Sequence, residues 1–381
     1  MTKILHIAND YAGSTVYMNL VGKLDNLGVE QVIYTPLREE ELIDNNSITF
    51  THIKSKFIYS VILNWHIDRV LYPYKLYKIL KDIQRKVDFN QIDCIHAHTW
   101  YSDGGVAYFL AKKYNIPFIV TVRNTDLNLF QKKLVYLRPF GRKVLEKSKS
   151  IVLISASYKS RLLSERSLKK SLVQIKGKLR ILPNGVDKYW VKNAGKFSGF
   201  KKKEHEINLI YVGRLTAGKN IPLLQEAVIE LNKRMKGHRI RLAIVGGGGA
   251  DSDKVLDNAR LHPDFFTFHG KIQDKEKLAN LYRAADIFTM PSSHETFGLV
   301  YVEAMLQGLP ILYTANEGVD GFYSDMIGEK VQQLTVEEVT TKLIKMISNL
   351  ASYELPVEEI KRNHDWAEIA KKYLLVYKSH I

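Results

Sequence analysis

Short apolar runs rich in β-branched residues alternate with longer amphipathic segments, and this alternation occurs in both halves of the chain. In the first half we expect strands at 3–8, 29–35, 94–97, 118–122 and 151–155. In the second half we expect them at 208–212, 241–245, 265–269, 286–290 and 310–313. Apolar strands separated by helical segments are typical of parallel sheets with helices on both faces. The pattern predicts an α/β protein with two Rossmann-like units.

The segments between these strands carry apolar residues three or four positions apart. This period predicts helices at 16–27, 74–87, 221–234 and 275–284, and a last one from 357 to about 377. Residues 183–207 are rich in glycine, lysine and polar side chains, so we interpret them as a linker. We therefore expect a first domain over 1–190, a second over 205–355, and a C-terminal helix over 356–381 that packs back toward the first domain.

Composition excludes several classes of protein. Of the 381 residues, 45% are apolar and 25% are charged, which is typical of folded globular chains. No segment approaches the roughly 18–20 apolar residues of a membrane span. The opening MTKILHIAND predicts a strand and not a signal peptide. Cys94 is the only cysteine, which excludes an intrachain disulfide. These features predict a cytoplasmic protein.

The positive charge is unevenly distributed. The net charge is +16, and residues 1–190 contain 30 basic and 16 acidic side chains, against 26 and 24 in residues 191–381. The segment 132–180, called the basic segment below, holds 15 basic and 2 acidic residues. Such asymmetry indicates an anionic partner: nucleic acid, a membrane surface or a phosphorylated substrate. Alternatively, the basic face only keeps the protein soluble.

The segment 293–305, SHETFGLVYVEAM, follows a predicted strand and leads into a predicted helix. The first turn of a helix presents unpaired backbone N–H groups, which favour a phosphate. Gly298 would let the backbone approach a ligand closely. Glu303, expected in the first helical turn, and Glu295, on the loop, could accept hydrogen bonds from hydroxyl groups. Alternatively, both glutamates only complement the helix dipole.

Two other loops follow predicted strands. The segment 211–220, YVGRLTAGKN, places Arg214 and Lys219 between a strand and a helix, where two cations suit a diphosphate or are simply solvated. The run of glycines at 246–249 fits a nicotinamide fingerprint poorly, because Asp251 stands where its last glycine belongs.

Together these segments resemble the retaining glycosyltransferases of the group 1 family. The family signature is a pair of glutamates within E-x-F-G-L-x-x-x-E-A, matched here by Glu295, Phe297, Gly298, Leu299, Glu303 and Ala304. Further family segments match in order at 183–187, 212–220, 243–249, 268–272 and 281–292. The resemblance is dense over about 183–312. It implies the GT-B fold, in which two Rossmann-like domains face each other across a cleft.

The resemblance implies a donor site in the second half. Arg214 and Lys219 would bind the donor diphosphate and stabilise the charge on the departing nucleotide. Glu303 would bind the ribose, Glu295 the transferred sugar, and the backbone at 271–272 the edge of the base. The backbone at 298–300 would hold the distal phosphate. The predicted donor-binding residues are Gly13, Ser14, Arg214, Lys219, Lys271, Ile272, Glu295, Thr296, Phe297, Gly298, Leu299, Val300 and Glu303.

The N-terminal half matches the family less closely. Family members often carry paired glycines after the first strand, whereas this chain has Gly13 followed by Ser14. In CIHAHTW, His98 matches the histidine that faces the reacting sugar, and His96 is interpreted as structural. Arg123 stands where many relatives have histidine, and Asp126 matches a polar position on the acceptor side. We expect no metal site, because no further metal ligands cluster with the His-x-His pair in the sequence.

The predicted function is retaining, metal-independent transfer of a sugar from a nucleotide-diphosphate sugar, UDP-linked rather than GDP-linked, with no cofactor. His98, Glu295, Arg214 and Lys219 are the predicted catalytic residues. The acceptor would be a saccharide or lipid-linked saccharide in surface polysaccharide or glycolipid assembly. The basic first half would rest peripherally on the anionic inner face of the membrane. The alternatives are an epimerase-like enzyme of the same fold and a basic nucleic-acid-binding protein, which lacks a recognition motif here.

Overall fold

The computed structural model describes residues 2–64, 68, 71–195, 205–323 and 327–381. Part of the predicted linker, 196–204, lies outside the described residues. The described chain forms two compact units. The first unit comprises Met1–Ile154, Tyr158–Asn184 and Trp366–Ile381, and the second comprises Ser155–Ser157 and Gly185–Asp365.

The first unit contains a parallel sheet in the order β3-β2-β1-β4-β5-β6-β7. Its strands are β1 Lys3–Ile7, β2 Glu30–Leu37, β3 Lys56–Val61, β4 Cys94–Ala97, β5 Phe118–Val122, β6 Ser150–Leu153 and β7 Leu179–Ile181. The central strands are buried over most or all of their length because both faces of the sheet are covered. In the register of β1 and β4, His6 pairs with His96.

The helices of the first unit follow the predicted apolar period. They are α1 Thr15–Asn26, α2 Tyr72–Lys86, α3 Ser102–Tyr114, α4 Arg138–Lys147, α5 Ala156–Ser164 (which begins in the second unit) and α6 Leu172–Lys176, with a π-helical segment at Asp126–Gln131. Ser14 caps α1 by accepting the N–H of Val16 at 3.4 Å. Leu20 and Leu24 of α1 bury their side chains on one face of the sheet, together with the end of the chain.

The second unit contains a parallel sheet in the order β10-β9-β8-β11-β12-β13. Its strands are β8 Glu206–Gly213, β9 Arg239–Gly246, β10 Phe266–Gly270, β11 Ile287–Thr289, β12 Ile311–Thr314 and β13 Gly328–Val331. Its helices are α7 Lys188–Lys192, α8 Ile221–Arg234, α9 Ser252–Leu261, α10 Lys275–Ala284, α11 Leu299–Leu306, α12 Val336–Ser348 and α13 Val357–His364. One apolar cluster runs through this unit.

Most predicted elements are confirmed, with boundaries shifted by at most a few residues. The strands β3, β7 and β13 were not predicted, and all three lie at sheet edges. Edge strands are short or carry exposed charges, so their apolar pattern is weak. The β13 sequence GEKV, for example, contains two charged residues in four.

The predicted single C-terminal helix is wrong: it is two helices, α13 and α14, the latter spanning Trp366–Lys378. Asp365 between them has extended backbone angles. His364 is buried in the second unit, where its carbonyl accepts the N–H of Val186 at 3.0 Å. Trp366 belongs to the apolar cluster of the first unit. The helix is interrupted because its two parts pack in different cores.

The order of strands reverses once in each sheet, between β1 and β4 and between β8 and β11. Ligands of parallel α/β sheets bind at such points, outside the carboxyl ends of the strands. His98 follows β4, Arg214 follows β8, and Glu295 lies on the loop after β11. The topology thus places the strongest sequence candidates at the two switch points.

Candidate active site

Glycines bring the ends of β8 and β9 into close contact. Gly213 and Gly246 pair in register, and Gly246 has a φ of +138°. A Cβ on Gly246 would lie 1.8 Å from the carbonyl oxygen of Gly213, so no side chain fits there. The N–H of Leu215 then donates to the carbonyl of Gly248 at 3.0 Å. These contacts fix the path of the loop that carries Arg214.

Arg214 and Lys219 occupy different environments on this loop. Arg214 is exposed, and its backbone carbonyl accepts the hydroxyl of Tyr211 at 2.8 Å. Lys219 is half-buried, and its ammonium forms an ion pair with Glu295. Asn220 follows with a φ of +52° and donates its side-chain N–H to the carbonyl of Pro291 at 2.7 Å. The loop after β8 is therefore fastened to the loop after β11.

Glu295 is held by hydrogen bonds as well as by Lys219. Its backbone N–H donates to Glu317 Oε2 at 2.9 Å, and its Oε1 accepts the N–H of Thr296 at 3.0 Å. Gly318 donates its N–H to the Glu295 carbonyl at 3.1 Å. The Glu295 side chain is 13% exposed. This carboxylate is therefore fixed in position while one edge of it remains accessible.

Gly298 is the N-cap residue of α11 and has a φ of +76°. A Cβ at this position would lie 2.5 Å from the ring of Tyr301 and 3.1 Å from Glu295 Cγ. Leu299 and Val300 are the first two residues of the helix. Their backbone N–H groups have no carbonyl acceptor within the helix, because the helix has not begun four positions earlier. Glycine thus allows the start of α11 to lie directly beside Glu295, with backbone donors available for an anion.

Glu303 lies in the second turn of α11, not in the first as the sequence analysis expected. Its carboxyl is mostly buried, and the hydroxyl of Tyr282 donates to its Oε2 at 3.4 Å. Burial raises the pKa of Glu303 to about 7. A mostly buried carboxyl with one weak donor can accept further hydrogen bonds from hydroxyl groups.

The remaining predicted donor residues of the second unit differ in accessibility. Lys271 is exposed, and its Cγ would be 3.5 Å from a Cβ on Gly247, so its side chain lies beside the glycine-rich loop. Ile272 is half-buried against the apolar cluster. Phe297 is 1% exposed and packs on Phe322, so only its backbone is suited to contact a ligand.

In the first unit, His98 is held at the end of β4. Its backbone N–H donates to the carbonyl of Ile7 at 3.0 Å, and its ring atom Nε2 lies 2.9 Å from His6 Nδ1. Burial, with the nearby His96 and His6, lowers the pKa of His98 well below its usual value. The ring is therefore neutral at physiological pH.

His96 makes structural contacts, with Tyr377 at 2.8 Å and Thr121 at 2.9 Å. The expectation that no further metal ligand clusters with the His-x-His pair is wrong, because His6 joins them. The ligand atoms of His6, His96 and His98 all lie within 4.8 Å of one another. The sequence could not reveal this cluster, since His6 comes from a strand 92 residues away from His98.

Arg123 directly follows β5, and Asp126 begins the π-helical segment that comes next. The guanidinium of Arg123 lies 5.2 Å from the ring centre of Tyr17, and its Nε donates to the His98 carbonyl at 3.3 Å. Asp126 is fully buried, and its carboxylate accepts three backbone N–H groups at 2.8–3.0 Å, from Trp100, Tyr101 and Arg123. Asp126 thus orders the loops that carry His98 and Arg123.

Gly13 and Ser14 form the turn before α1. Gly13 is exposed, and a Cβ there would lie 2.7 Å from Asp10 Oδ1. The side chain of Ser14 caps the helix, as described above. These residues lie in the first unit and the other donor residues lie in the second.

Two buried ionisable residues near β4 were not predicted from the sequence. Asp103 and Lys75 are 1% and 6% exposed. Burial raises the pKa of Asp103 to about 7, and the positive charge of Lys75 opposes that rise. Lys75 also donates to Ser102 Oγ at 2.9 Å. Lys75 is one of several lysines in an amphipathic segment, so nothing in the sequence distinguishes it as the buried one.

The predicted basic helix 74–87 is formed as α2, but its lysines are not all available to lipid. Lys75 is buried, Lys78 pairs with Asp68 at 2.8 Å, and Lys86 pairs with Asp82 at 3.2 Å. Across the part of the chain that the structure describes, no helix is both long enough and apolar enough to cross a membrane.

Descriptions of two known protein families match this chain. The family description "Glycosyl transferases group 1" matches residues 195–373, and "Glycosyltransferase Family 4" matches residues 13–189. The two matches together span nearly the whole chain. The chain belongs to the group 1 glycosyltransferases.

Individual relatives are distant in sequence but extensive in coverage. The chain is 26% identical over 329 residues to alpha-monoglucosyldiacylglycerol synthase of Acholeplasma laidlawii, covering 82% of this chain and 78% of that one. A sucrose-phosphate synthase from Thermosynechococcus elongatus superposes with a TM-score of 0.70 at 18% identity, over 100% and 99% of the chains. An E. coli structure described as trehalose-6-phosphate bound with UDP-2-fluoro glucose gives 0.69 at 13% identity, with full coverage of both. These structures share the α/β GT-B fold with this chain.

Proposed function

We propose that this glycosyltransferase transfers a sugar from a nucleotide-diphosphate sugar to an acceptor hydroxyl with retention of anomeric configuration. The observation that carries the proposal is the arrangement after β8 and β11. There Lys219 pairs with Glu295, the start of α11 lies beside Glu295, and Arg214 is exposed on the same loop as Lys219. Such groups stabilise negative charge that develops on a departing diphosphate.

In this proposal each residue has a distinct role. Arg214, exposed and able to make forked contacts, binds the diphosphate together with Lys219. The N–H groups of Leu299 and Val300 hold the distal phosphate, and Glu295 binds the transferred sugar. We propose that these donors neutralise the diphosphate in place of a divalent cation.

The nucleoside would lie against the other residues of the second unit. Glu303 accepts hydrogen bonds from the ribose, and the backbone around Lys271 contacts the base edge. We favour UDP over GDP, with support from the UDP-sugar named for the E. coli structure. His98 in the first unit would face the reacting sugar.

For the acceptor, we propose a saccharide or a lipid-linked saccharide in glycolipid or surface polysaccharide assembly. The relative from Acholeplasma laidlawii is named as a synthase of a glycosylated diacylglycerol, and it covers most of this chain. Arg123, held beside His98 by its own contacts, would lie on the acceptor side. The contacts of Asp126 favour a positioning role for that residue.

We also propose that the first unit rests on the anionic inner face of the membrane. The basic segment supports this membrane contact better than the α2 lysines do, because several of those lysines are buried or form ion pairs. In that segment Lys132 and Lys133 are exposed beside Val135 and Tyr136, which are 51% and 60% exposed. Exposed apolar side chains flanked by lysines suit an anionic lipid surface.

The decisive experiment has two stages. Nucleoside diphosphates are first screened for thermal stabilisation, since a ligand of the folded state raises the melting temperature. The matching UDP- or GDP-sugars are then incubated with candidate acceptors, and the anomeric coupling of the product is read by NMR. An α-linked product from an α-linked donor is expected. An inverted product would contradict retention, and an isomerised nucleotide sugar formed without acceptor would favour an epimerase.

A further inference from the structure

A cleft of about 640 Å³ lies at the edge of the first sheet that is opposite His98. It is lined by Phe118, the first residue of β5, and by Lys149, which directly precedes β6. The strands are parallel, so their carboxyl ends and the residues that follow them, such as Arg123, lie at the other edge. The four steps of strand from Phe118 to Val122 separate the two edges by roughly 13 Å. The cleft is therefore not part of the candidate active site.

The walls of the cleft combine apolar side chains with cations. The apolar part comes from α3 and from the residues that lead into β5, and its members are Tyr108, Ala111, Ile116, Pro117 and Phe118. The cations are Lys112, Lys147 and Lys149, all of them exposed. None of these three ammonium groups forms an ion pair or a hydrogen bond with another residue that the structure describes. Among the described residues, no acidic side chain lines the cleft.

The carboxyl ends of α3 and α4 lie beside the cleft, where lysines often only complement the helix dipole. At the end of α4, however, Lys178 already donates its ammonium to the carbonyls of Leu145 at 3.4 Å and Glu146 at 2.5 Å. The carboxylate of Glu146 pairs with Arg142 at 3.5 Å, and not with a lysine of the cleft. One helix end is equivalent to roughly half a negative charge, so two ends offset about one of the three lysine charges. About two positive charges therefore remain in the cleft.

Two neighbouring residues are affected by this positive charge. Burial is the main cause that lowers the pKa of Lys178, and Lys149 and Lys147 lower it further. Burial also lowers the pKa of His380, which lines the cleft, and Lys149 adds to that effect. A cleft that is lined by one sign of charge and has apolar walls concentrates ligands of the opposite sign.

We propose that this cleft binds a small soluble molecule that carries a phosphate group on a flat apolar body. A phosphate monoester has nearly two negative charges and three acceptor oxygens, which match the charge that remains on the three lysines. The apolar body packs on Tyr108 and Ile116. The volume of the cleft lies within the roughly 300–1,000 Å³ that is typical of small-molecule sites. The proposal does not depend on sugar transfer, because all residues of the cleft belong to the first unit and lie away from His98.

Phenyl phosphate is the probe that tests the cleft, because it joins a phosphate to a flat apolar ring. Calorimetry on the whole protein should show saturable binding, with a lower affinity for inorganic phosphate and for phenol, since each lacks half of the ligand. Lys149→Gln should weaken the binding of phenyl phosphate about tenfold, the usual effect of one charged hydrogen bond. No binding to the wild-type protein would overturn the proposal. Equal affinity for inorganic phosphate would overturn the role of the apolar wall.

Two further variants establish where the probe binds. Lys143→Gln is the charge-matched control, because Lys143 is exposed on α4 and does not line the cleft. It should bind phenyl phosphate like the wild type, and an equal loss in Lys143→Gln and Lys149→Gln would mean that only the overall charge attracts the probe. Arg214→Ala should also retain binding. Loss in Arg214→Ala with retention in Lys149→Gln would place the phosphate in the second unit and overturn the proposal.

A lipid headgroup could supply the same phosphate chemistry, and vesicles that contain phosphatidic acid distinguish the two sources. We expect Lys149→Gln to co-sediment with these vesicles as the wild type does. If the variant loses vesicle binding and phenyl phosphate does not bind the wild type, the ligand is a lipid and the soluble ligand is wrong. Thermal unfolding tests a purely structural role of Lys149. The variant should melt like the wild type without the probe, and the probe should raise the wild-type melting temperature more. A variant that melts at a lower temperature, together with no effect of the probe on either protein, would leave Lys149 only a structural role.

Discussion

Lys219 and Glu295 form an ion pair although 76 residues separate them, and the pair joins the loop after β8 to the loop after β11. One residue is a predicted diphosphate ligand and the other a predicted sugar ligand. Before a donor binds, each neutralises the other. We therefore expect diphosphate binding to compete with Glu295 for Lys219, whereas Arg214 is exposed and meets the donor directly.

The first prediction concerns these two cations. Arg214→Ala and Lys219→Ala should each lower kcat/KM about ten- to a hundredfold, because a charged hydrogen bond contributes roughly 1.5–3 kcal/mol. The charge-matched controls are Lys169→Ala and Lys170→Ala, exposed residues of the basic segment. Turnover of a soluble acceptor measures the effect. If all four variants behave alike, the diphosphate does not bind at this loop.

The second prediction concerns Gly298. Gly298→Ala should destabilise the second unit by about 1–3 kcal/mol, because the residue has a φ of +76° and the new Cβ would contact Tyr301. Nucleotide affinity should fall as well. Gly237→Ala is the control in the same unit, since a Cβ there meets nothing within 4 Å. Urea unfolding compares the variants, and equal stability of the two would contradict a strained start of α11.

The third prediction is a pH dependence. Burial raises the pKa of Glu303 from 4.5 to about 7, so over this window the folded protein retains a proton that the unfolded chain releases. Stability therefore falls as pH rises through the window. Glu303→Gln removes the group whose ionisation causes this pH dependence of stability. Its unfolding free energy relative to wild type should increase by about 2–3 kcal/mol between pH 5 and pH 8.

The control for that measurement is Glu358→Gln, because the Glu358 side chain is 85% exposed. Its unfolding free energy relative to wild type should be nearly constant over the same range. A flat difference for Glu303→Gln as well would show that the Glu303 carboxyl ionises normally in the folded protein.

The fourth prediction separates a positioning role from substrate binding at Asp126. Asp126→Asn replaces an acceptor of three backbone N–H groups, so it should cost about 2–4 kcal/mol of stability. Thermal unfolding measures this cost. Asp274→Asn, at the exposed N-cap of α10, should cost little because asparagine also caps helices. Unchanged stability of Asp126→Asn with a raised acceptor KM would favour direct acceptor binding.

The fifth prediction concerns the membrane surface. Lys132→Gln combined with Tyr136→Ser should weaken binding to vesicles that contain anionic lipid, and binding should weaken further as salt increases. The control is Leu261→Ser, because Leu261 is a strongly exposed apolar residue of the nearly neutral half. Co-sedimentation with vesicles measures binding. Equal retention of both variants would mean that this part of the basic segment does not contact lipid.

Patterns confined to neighbouring residues were sufficient for much of the fold. The strand β5 and the helices α8 and α10 occur at the predicted residues, because period and apolar content act within one element. The donor motif could also be predicted, because its residues lie in two short segments. One contains Arg214 and Lys219, and the other contains Glu295, Gly298 and Glu303. The edge strands escaped because their apolar pattern is weak.

Contacts between distant segments were decided only by the tertiary structure. Parallel pairing of β1 with β4 brings His6 to His98, and nothing in the sequence around either residue indicates the other. Burial likewise raises the pKa of Glu303 and removes Lys75 from solvent, although each lies in a segment that the sequence predicts only as a helix. Periodicity describes one element at a time, whereas burial and hydrogen bonding depend on which elements meet. The family and its predicted donor loop could therefore be inferred from the sequence, while the histidine cluster, the Lys219–Glu295 pair and the break at Asp365 were determined only by the packing of the chain.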